Sequence, residues 1–252
     1  MYCGDPQNPY SVYDYTNSRK RDGPASFLKD YQGYLQADAF AGYDGIYAAG
    51  SVKQVLCWAH ARRKFFEAKE AQPREAHPAL AFIARLYDVE REAKSLSAEA
   101  RQALRQQRSL PLLAEFRTWL VTLTGRVLPK SPVGQAIHYV LPRWEGLVRY
   151  CEDGALAIDN NLAERTLRPC AIGRKNWLFL GNDRGGRTAA ILFSFTASCK
   201  ANQVEPWAYL RDVITQLADR RRDAPPTEEF LTQLLPDVWL RTHQEAQRKW
   251  SR

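Results

Sequence analysis

A chain of 252 residues can bury a full core and hold one large domain, or one domain carrying an insertion. Its 45% hydrophobic and 25% charged residues match globular proteins and exclude general disorder. The net charge of +8 favours a polyanionic partner, and it is unevenly spread: Asn160 to Arg222 carries 11 Lys/Arg against 5 Asp/Glu, a surplus of 6.

The first 60 residues read as mixed α/β. Ser11–Thr16 (SVYDYT) alternates like a strand, and Pro24 opens a short helix, PASFLKDYQ. Tyr34–Asp38 is a short strand, AGYDGIYAAG a short helix or turn, and Val52–Cys57 a further strand. Short strands alternating with helices predict an open α/β sheet. After Trp58 helical periodicity takes over, through ARRKFFEAKE, PALAFIARLYDVEREAKSL, AEARQALRQQ, LPLLAEFRTWLVTLTGRVL and GQAIHYVL, where Pro142 kinks or ends the last helix. Beyond Tyr150 the pattern predicts helices at Asn160–Leu167, Gly186–Lys200 and Pro206–Arg222, with a strand at Trp177–Leu180. APPTEEFLTQLLPDVW forms a last helix–turn, and the polar end QEAQRKWSR is expected to fray.

The five cysteines, Cys3, Cys57, Cys151, Cys170 and Cys199, contain no CxxC pair, which fits reduced thiols. The opening residues lack the basic and apolar regions of a signal peptide, and no apolar run approaches the ~18 residues of a membrane span. A soluble intracellular protein is expected.

Two carboxylates stand out. Asp38 ends the apolar strand LQAD, at the strand edge where open α/β sheets bind ligands. Glu164 lies one turn into a helix that Asp159 or Asn160 can cap, with Asn161 beside them. Taken singly, these are also an ordinary turn Asp and a Glu favoured by the helix dipole. Around Glu164, however, stand Arg165, Arg168, Arg174, Lys175, Trp177, Arg184 and Arg187, interspersed with Gly173, Gly181, Gly185 and Gly186. Cations, an aromatic and glycines that admit a close backbone approach suit DNA phosphates, although a solvated basic face has the same spacing. Cys57 and His60 form a CxxH pair, for which His77 and His138 are poorly spaced as further zinc ligands. Arg62 and Arg63 follow as DNA contacts or as a solvated helix face.

The segments LQADAFAGYDGIY, CWAHARRKFFEA and IDNNLAERTLRPCAIGRKNWLFLGNDRGGRTAAILFSF, in this order and spacing, closely resemble the transposases of insertion-sequence family 66. The resemblance runs from Met1 to about Arg222 and implies a DDE-type transposase. Such a protein has an RNase H-like core in which Asp, Asp and Glu hold Mg²⁺ (or Mn²⁺) for DNA cleavage and strand transfer. By this resemblance Asp38 is the second Asp and Glu164 the Glu, 126 positions apart. It further implies a core in two parts, 1–70 and 154–222, an α-helical insertion at 71–153 and a helical tail at 223–252. Cys57 and His60 would support the active site, as CxxH pairs do in some related transposases. The partners implied are transposon-end and target DNA and other copies of the chain in a transposition complex, in the bacterial cytoplasm and on the nucleoid when DNA is bound.

The family's first Asp lies in an Asp-Glu-Thr motif on the opening strand of the core, and no Asp-Glu-Thr occurs in this sequence. The catalytic domain is therefore expected to lack its first strand. Asp5, in a GDPQNP turn, and Asp14, in the following strand, are the acidic residues nearest that position, and neither is expected to replace the missing Asp. The alternative reading is a non-catalytic DNA-binding remnant of a decayed transposase gene.

Overall fold

The computed structural model describes residues 1–4, 9–18, 20–220 and 225–250. Asp5 and the boundary expected at 222/223 lie outside the described residues. The chain divides into two compact units, Ser18–Asn161 and Met1–Asn17 together with Leu162–Arg252.

In the 18–161 unit, α1 (Asp22–Phe27) leads to β3 (Gly33–Gln36), following β1 (Tyr2–Cys3) and β2 (Ser11–Val12) of the other unit. A 3₁₀ turn at Ala41–Tyr43 and α2 (Asp44–Ala48) cross over to β4 (Val52–Val55). The two strands are parallel, with Gly33 opposite Val52 and Gln36 opposite Val55. A helical crossover is what a parallel pair requires. It brings the C-terminal ends of both strands, and so Asp38 and Cys57, to the same sheet edge.

The helical block expected after Trp58 is present as α3 (Trp58–Ala68), α4 (Pro73–Glu92), α5 (Ala98–Leu104), α6 (Leu110–Thr124), α7 (Pro132–Val140) and α8 (Trp144–Val148). Its core surrounds the fully buried Trp58 and Phe116. The Trp58 ring meets that of Trp144 edge-on at 5.9 Å, and Phe82 stacks on Phe116 at 4.8 Å. Helix α4 starts at Pro73, a turn earlier than its apolar pattern predicts, because proline is tolerated at a first turn. Between α5 and α6 the backbone widens into a π turn at Arg105–Ser109, just before Pro111, whose missing N–H and ring disfavour a regular α ladder.

The other unit pairs β1 with β2 antiparallel and adds α9 (Asn161–Trp177), α10 (Asp183–Ala201), α11 (Pro206–Arg220), α12 (Glu228–Gln233) and α13 (Pro236–Leu240). The far edge of β2 is satisfied by side chains of α10. Ser198 Oγ accepts from Ser11 N at 3.0 Å and donates to Ser11 O at 3.2 Å, Ser194 Oγ accepts from Tyr13 N at 2.8 Å, and Asn202 Nδ2 donates to Pro9 O at 3.3 Å. Four helical residues rise about 6 Å and two strand residues about 6.7 Å, so polar residues at every fourth helix position can follow every second strand position. A second core gathers Tyr209, Val213, Phe230, Leu234 and Trp239.

The fold is thus α/β in character but mostly helical. Three expectations are corrected. The sheet is two separate two-stranded pieces among the described residues, because β2 spends its second edge on α10 and not on another strand. The strand expected at Trp177–Leu180 does not form. Helix α9 instead runs through Pro169 to Trp177, stabilised where Trp177 packs on Phe193 at 5.7 Å, and a short link then turns into α10. The C-terminal end does not fray over the described residues: Ala246 is buried, Glu205 N donates to Ala246 O at 2.9 Å, and Arg248 N donates to Gln203 O at 2.8 Å. No helix among the described residues is long and apolar enough to cross a membrane.

Candidate functional site

In the 18–161 unit, Asp38 is exposed two residues past β3, whose pairing is extended by Ala37 N donating to Val55 O at 3.1 Å. Burial raises the phenol pKa values of Tyr43, Tyr47 and Tyr139, and the charge of Asp38 adds to the effect at each. Cys57, at the matching position past β4, is buried. Burial pushes its thiol upward, against the backbone N–H groups of Asn160, His60 and Ala59 that favour a thiolate.

The returning chain reaches the same edge because Trp58 N donates to Ile158 O at 3.1 Å and Gln36 Nε2 donates to Ala157 O at 2.7 Å. This fixes Asp159, whose Oδ2 accepts from Tyr87 OH at 2.9 Å and whose Oδ1 accepts from Asn161 N at 3.2 Å. That second bond makes a turn leading into α9. Asn160 Oδ1 is buried without a hydrogen-bond partner among the described residues. The Tyr87 phenol is raised by burial first, then by Asp159, while Arg62 works in the opposite direction. His60 is half-buried in the first turn of α3; Arg62 and Arg63 are exposed, and the Arg62 guanidinium lies 5.6 Å from the Phe66 ring. Tyr87 thus holds Asp159, Tyr139 lies within reach of the Asp38 charge, and Asn160 bonds to Cys57; periodicity alone reads both tyrosines as ordinary helix positions.

In the other unit, Glu164 is exposed in the first turn of α9. Glu164, Arg168, Ala171 and Lys175 follow at spacings of four, three and four, which is one helix face. Arg165 and Arg174 flank that stripe, while Gly173 and Trp177 lie on the packed side. Arg184 and Arg187 are exposed in the first turns of α10, which Asn182 caps by accepting from Gly185 N at 2.9 Å. All the cations expected to meet DNA in this region are therefore on the surface.

Two of the glycines pack against aromatic rings. A Cβ at Gly173 would sit 2.1 Å from the Trp177 ring, and one at Gly186 would sit 2.3 Å from the Tyr15 ring. These two glycines make room for aromatic side chains. Tyr13, Tyr15, Trp177 and Phe193 wall a groove of about 530 Å³ beside the link between α9 and α10, and Asp14, just past β2, lies at its margin.

Mg²⁺ prefers several oxygen ligands. Asp38 and Glu164 have the right donor chemistry, but among the described residues no three His, Cys, Asp or Glu come together as a group able to hold a metal ion. The described residues do not by themselves fit a three-carboxylate site.

Comparison with known proteins defines the class. The description "Transposase IS66 family" matches residues 1–188, and "IS66 C-terminal element" matches residues 194–236. The chain belongs to the IS66 transposase family. Among its relatives are two uncharacterized proteins of Sinorhizobium fredii. Protein y4hP is 36% identical over 250 residues, covering 92% of this chain and 44% of the relative. Protein y4jD is 33% identical over 241 residues, covering 93% of this chain and 46% of the relative. The chain thus spans less than half the length of these relatives. No solved structure matches it significantly.

Proposed function

We propose that the chain is the catalytic region of an insertion-sequence transposase, built on an RNase H-like core and acting on DNA by phosphoryl transfer. Asp38 and Glu164 are two of the three carboxylates such a reaction uses. The observation that carries this reading is the pairing of a family match over residues 1–188 with an exposed acid at the C-terminal end of a parallel strand pair. Residues 1–70 and 154–222 form the core, 71–153 the insertion and 223–252 the tail. Arg165, Arg168, Arg174, Lys175, Arg184 and Arg187 hold phosphates, while Arg62 and Arg63 add contacts on α3. Cys57, His60, Asp159, Asn160 and Asn161 position the strand edge that carries Asp38.

A second reading is a DNA-binding protein without catalysis. The two readings share DNA binding and differ in cleavage. One experiment addresses both: the purified chain is titrated with duplex DNA at several salt concentrations and incubated with supercoiled DNA in Mg²⁺ or Mn²⁺. Salt-sensitive, sequence-independent binding is expected, with the slope of log affinity against log salt reduced by about 2 in the Arg174→Ala/Lys175→Ala double variant. An affinity unchanged between low and moderate salt overturns the DNA reading. No nicking is expected from this chain alone. Nicking that is lost in Asp38→Asn and in Glu164→Gln establishes catalysis by the chain itself.

A further inference from the structure

The link between α9 and α10 has an unusual composition for a surface turn. Trp177, Leu178, Phe179 and Leu180 are four consecutive apolar residues, and Leu178 and Phe179 are 71% and 77% exposed. Leu178 is held at φ 56, a left-handed conformation that a leucine disfavours, and Gly181 follows at φ 80. Two tight turns fix the link, with Phe179 N bonded to Trp177 O and Asn182 N bonded to Leu180 O. Backbone strain and solvent-exposed leucine and phenylalanine are both unfavourable, and together they mark a segment shaped for contact.

Its surroundings identify the contact. Arg174 and Lys175 precede the tip within one helical turn, and Arg184 and Arg187 follow it within the first turns of α10, all four exposed. An apolar point bracketed by cations is complementary to a polyanion with an apolar interior, which describes stacked bases between phosphate backbones. Beside the tip lies the groove of about 530 Å³ with walls of Tyr13, Tyr15, Trp177 and Phe193. Gly173 and Gly186 keep two of those rings in place, since any side chain there would displace them.

We propose that Leu178 and Phe179 form a wedge that enters a base step of DNA, and that the aromatic groove beside it receives the base the wedge displaces. The proposal rests on the DNA-binding reading above and adds to it a mode of engagement. The cations grip the flanking phosphates, the wedge replaces one stacking contact, and the displaced base stacks on aromatic side chains. A base that is already mispaired costs less to extrude, so the site prefers distorted duplex.

The test uses the full 252-residue chain and a duplex carrying 2-aminopurine beside a single mismatch, with binding read by anisotropy and unstacking by fluorescence. Binding is expected to raise the 2-aminopurine signal several-fold, and the mismatched duplex to bind about tenfold tighter than its matched counterpart. Phe179→Ala and the Leu178→Ala/Phe179→Ala pair abolish both effects while matched-duplex affinity stays within a few-fold. Phe179→Trp retains them, which separates stacking from any loss of fold. Arg174→Ala/Lys175→Ala weakens both duplexes alike but keeps the signal of whatever complex forms. DNA binding without a fluorescence rise, or with a rise that survives Phe179→Ala, overturns the wedge and leaves the DNA reading standing. No binding to either duplex at low salt overturns both. A Phe179→Ala variant that changes sedimentation but not fluorescence makes the tip a contact between copies of the chain, which also overturns the wedge.

Discussion

At the scale of single residues, the two serines of α10 show how much one hydroxyl can hold. Ser198 is buried, and its Oγ serves both the N–H and the C=O of Ser11, which is also buried. Removing the hydroxyl leaves two backbone groups without partners in a place water reaches poorly, at a cost of about 1–3 kcal/mol. Ser194 serves Tyr13 in the same way just past β2, where the chain is only half-buried, and there water can replace it. Ser198→Ala is therefore expected to lower unfolding stability by about 1–3 kcal/mol and Ser194→Ala by about half as much or less. Urea titration followed by circular dichroism measures both, and equal losses at the two sites would contradict this account.

At the scale of elements, the π turn between α5 and α6 carries a buried arginine whose guanidinium is bonded on every side-chain nitrogen. Arg105 is 1% exposed; its Nε and Nη2 meet the two Glu90 oxygens at 2.8 and 2.7 Å, and its Nη1 donates to Tyr150 O at 2.8 Å and Asp153 O at 3.0 Å. A buried pair loses much of its Coulombic gain to desolvation, but breaking it strands a charge. Arg105→Met is expected to cost about 3–5 kcal/mol, and Arg105→Met/Glu90→Met distinctly less. A double variant no more stable than the single one would show that backbone carbonyls, and not Glu90, set the need for Arg105. This element also marks the limit of what the sequence reveals. The helices and the short strands on either side of Asp38 were legible, since apolar period and turn residues are local signals. Arg105 was not, because nothing in RQALRQQRSL distinguishes a buried arginine from a solvated one. The same holds at the candidate site. Asp38, Glu164 and the cations were legible from motif and charge. Tyr87 and Tyr139 reach the strand edge only through tertiary packing, and WLFL reads as a strand until Trp177 is seen closing a helix over Gly173.

At the scale of the whole molecule, charge and burial make opposite demands on pH. The sequence has its isoelectric point near 9.3, so self-repulsion from net charge is least there, and a net-charge argument alone puts greatest stability at that pH. The buried and half-buried titrating groups argue otherwise. Burial pushes the Cys151 thiol up to about 11 and the Cys199 thiol up to about 12, and burial first of all lifts the Tyr10 and Tyr13 phenols to about 12. In each case the folded-state pKa lies above the unfolded one, so the unfolded chain releases its proton first as pH rises. The stability these groups contribute is full below about pH 9 for the thiols and about pH 10 for the phenols. It declines as pH rises toward 11 to 12, by about 1.4 kcal/mol for each pKa unit of separation at the buried thiols and by distinctly less at the half-buried phenols, which solvent screens. Unfolding stability is therefore expected to hold level through pH 8 and to fall from about pH 9, the pH at which repulsion is smallest. Cys199→Ala should lose some packing at pH 7 yet fall less steeply between pH 9 and 12, because one of the groups driving the decline is gone. Urea midpoints across that range decide the matter: a maximum near the isoelectric point, or an unchanged slope in Cys199→Ala, would show that surface charge and not buried thiols and phenols governs the alkaline limb.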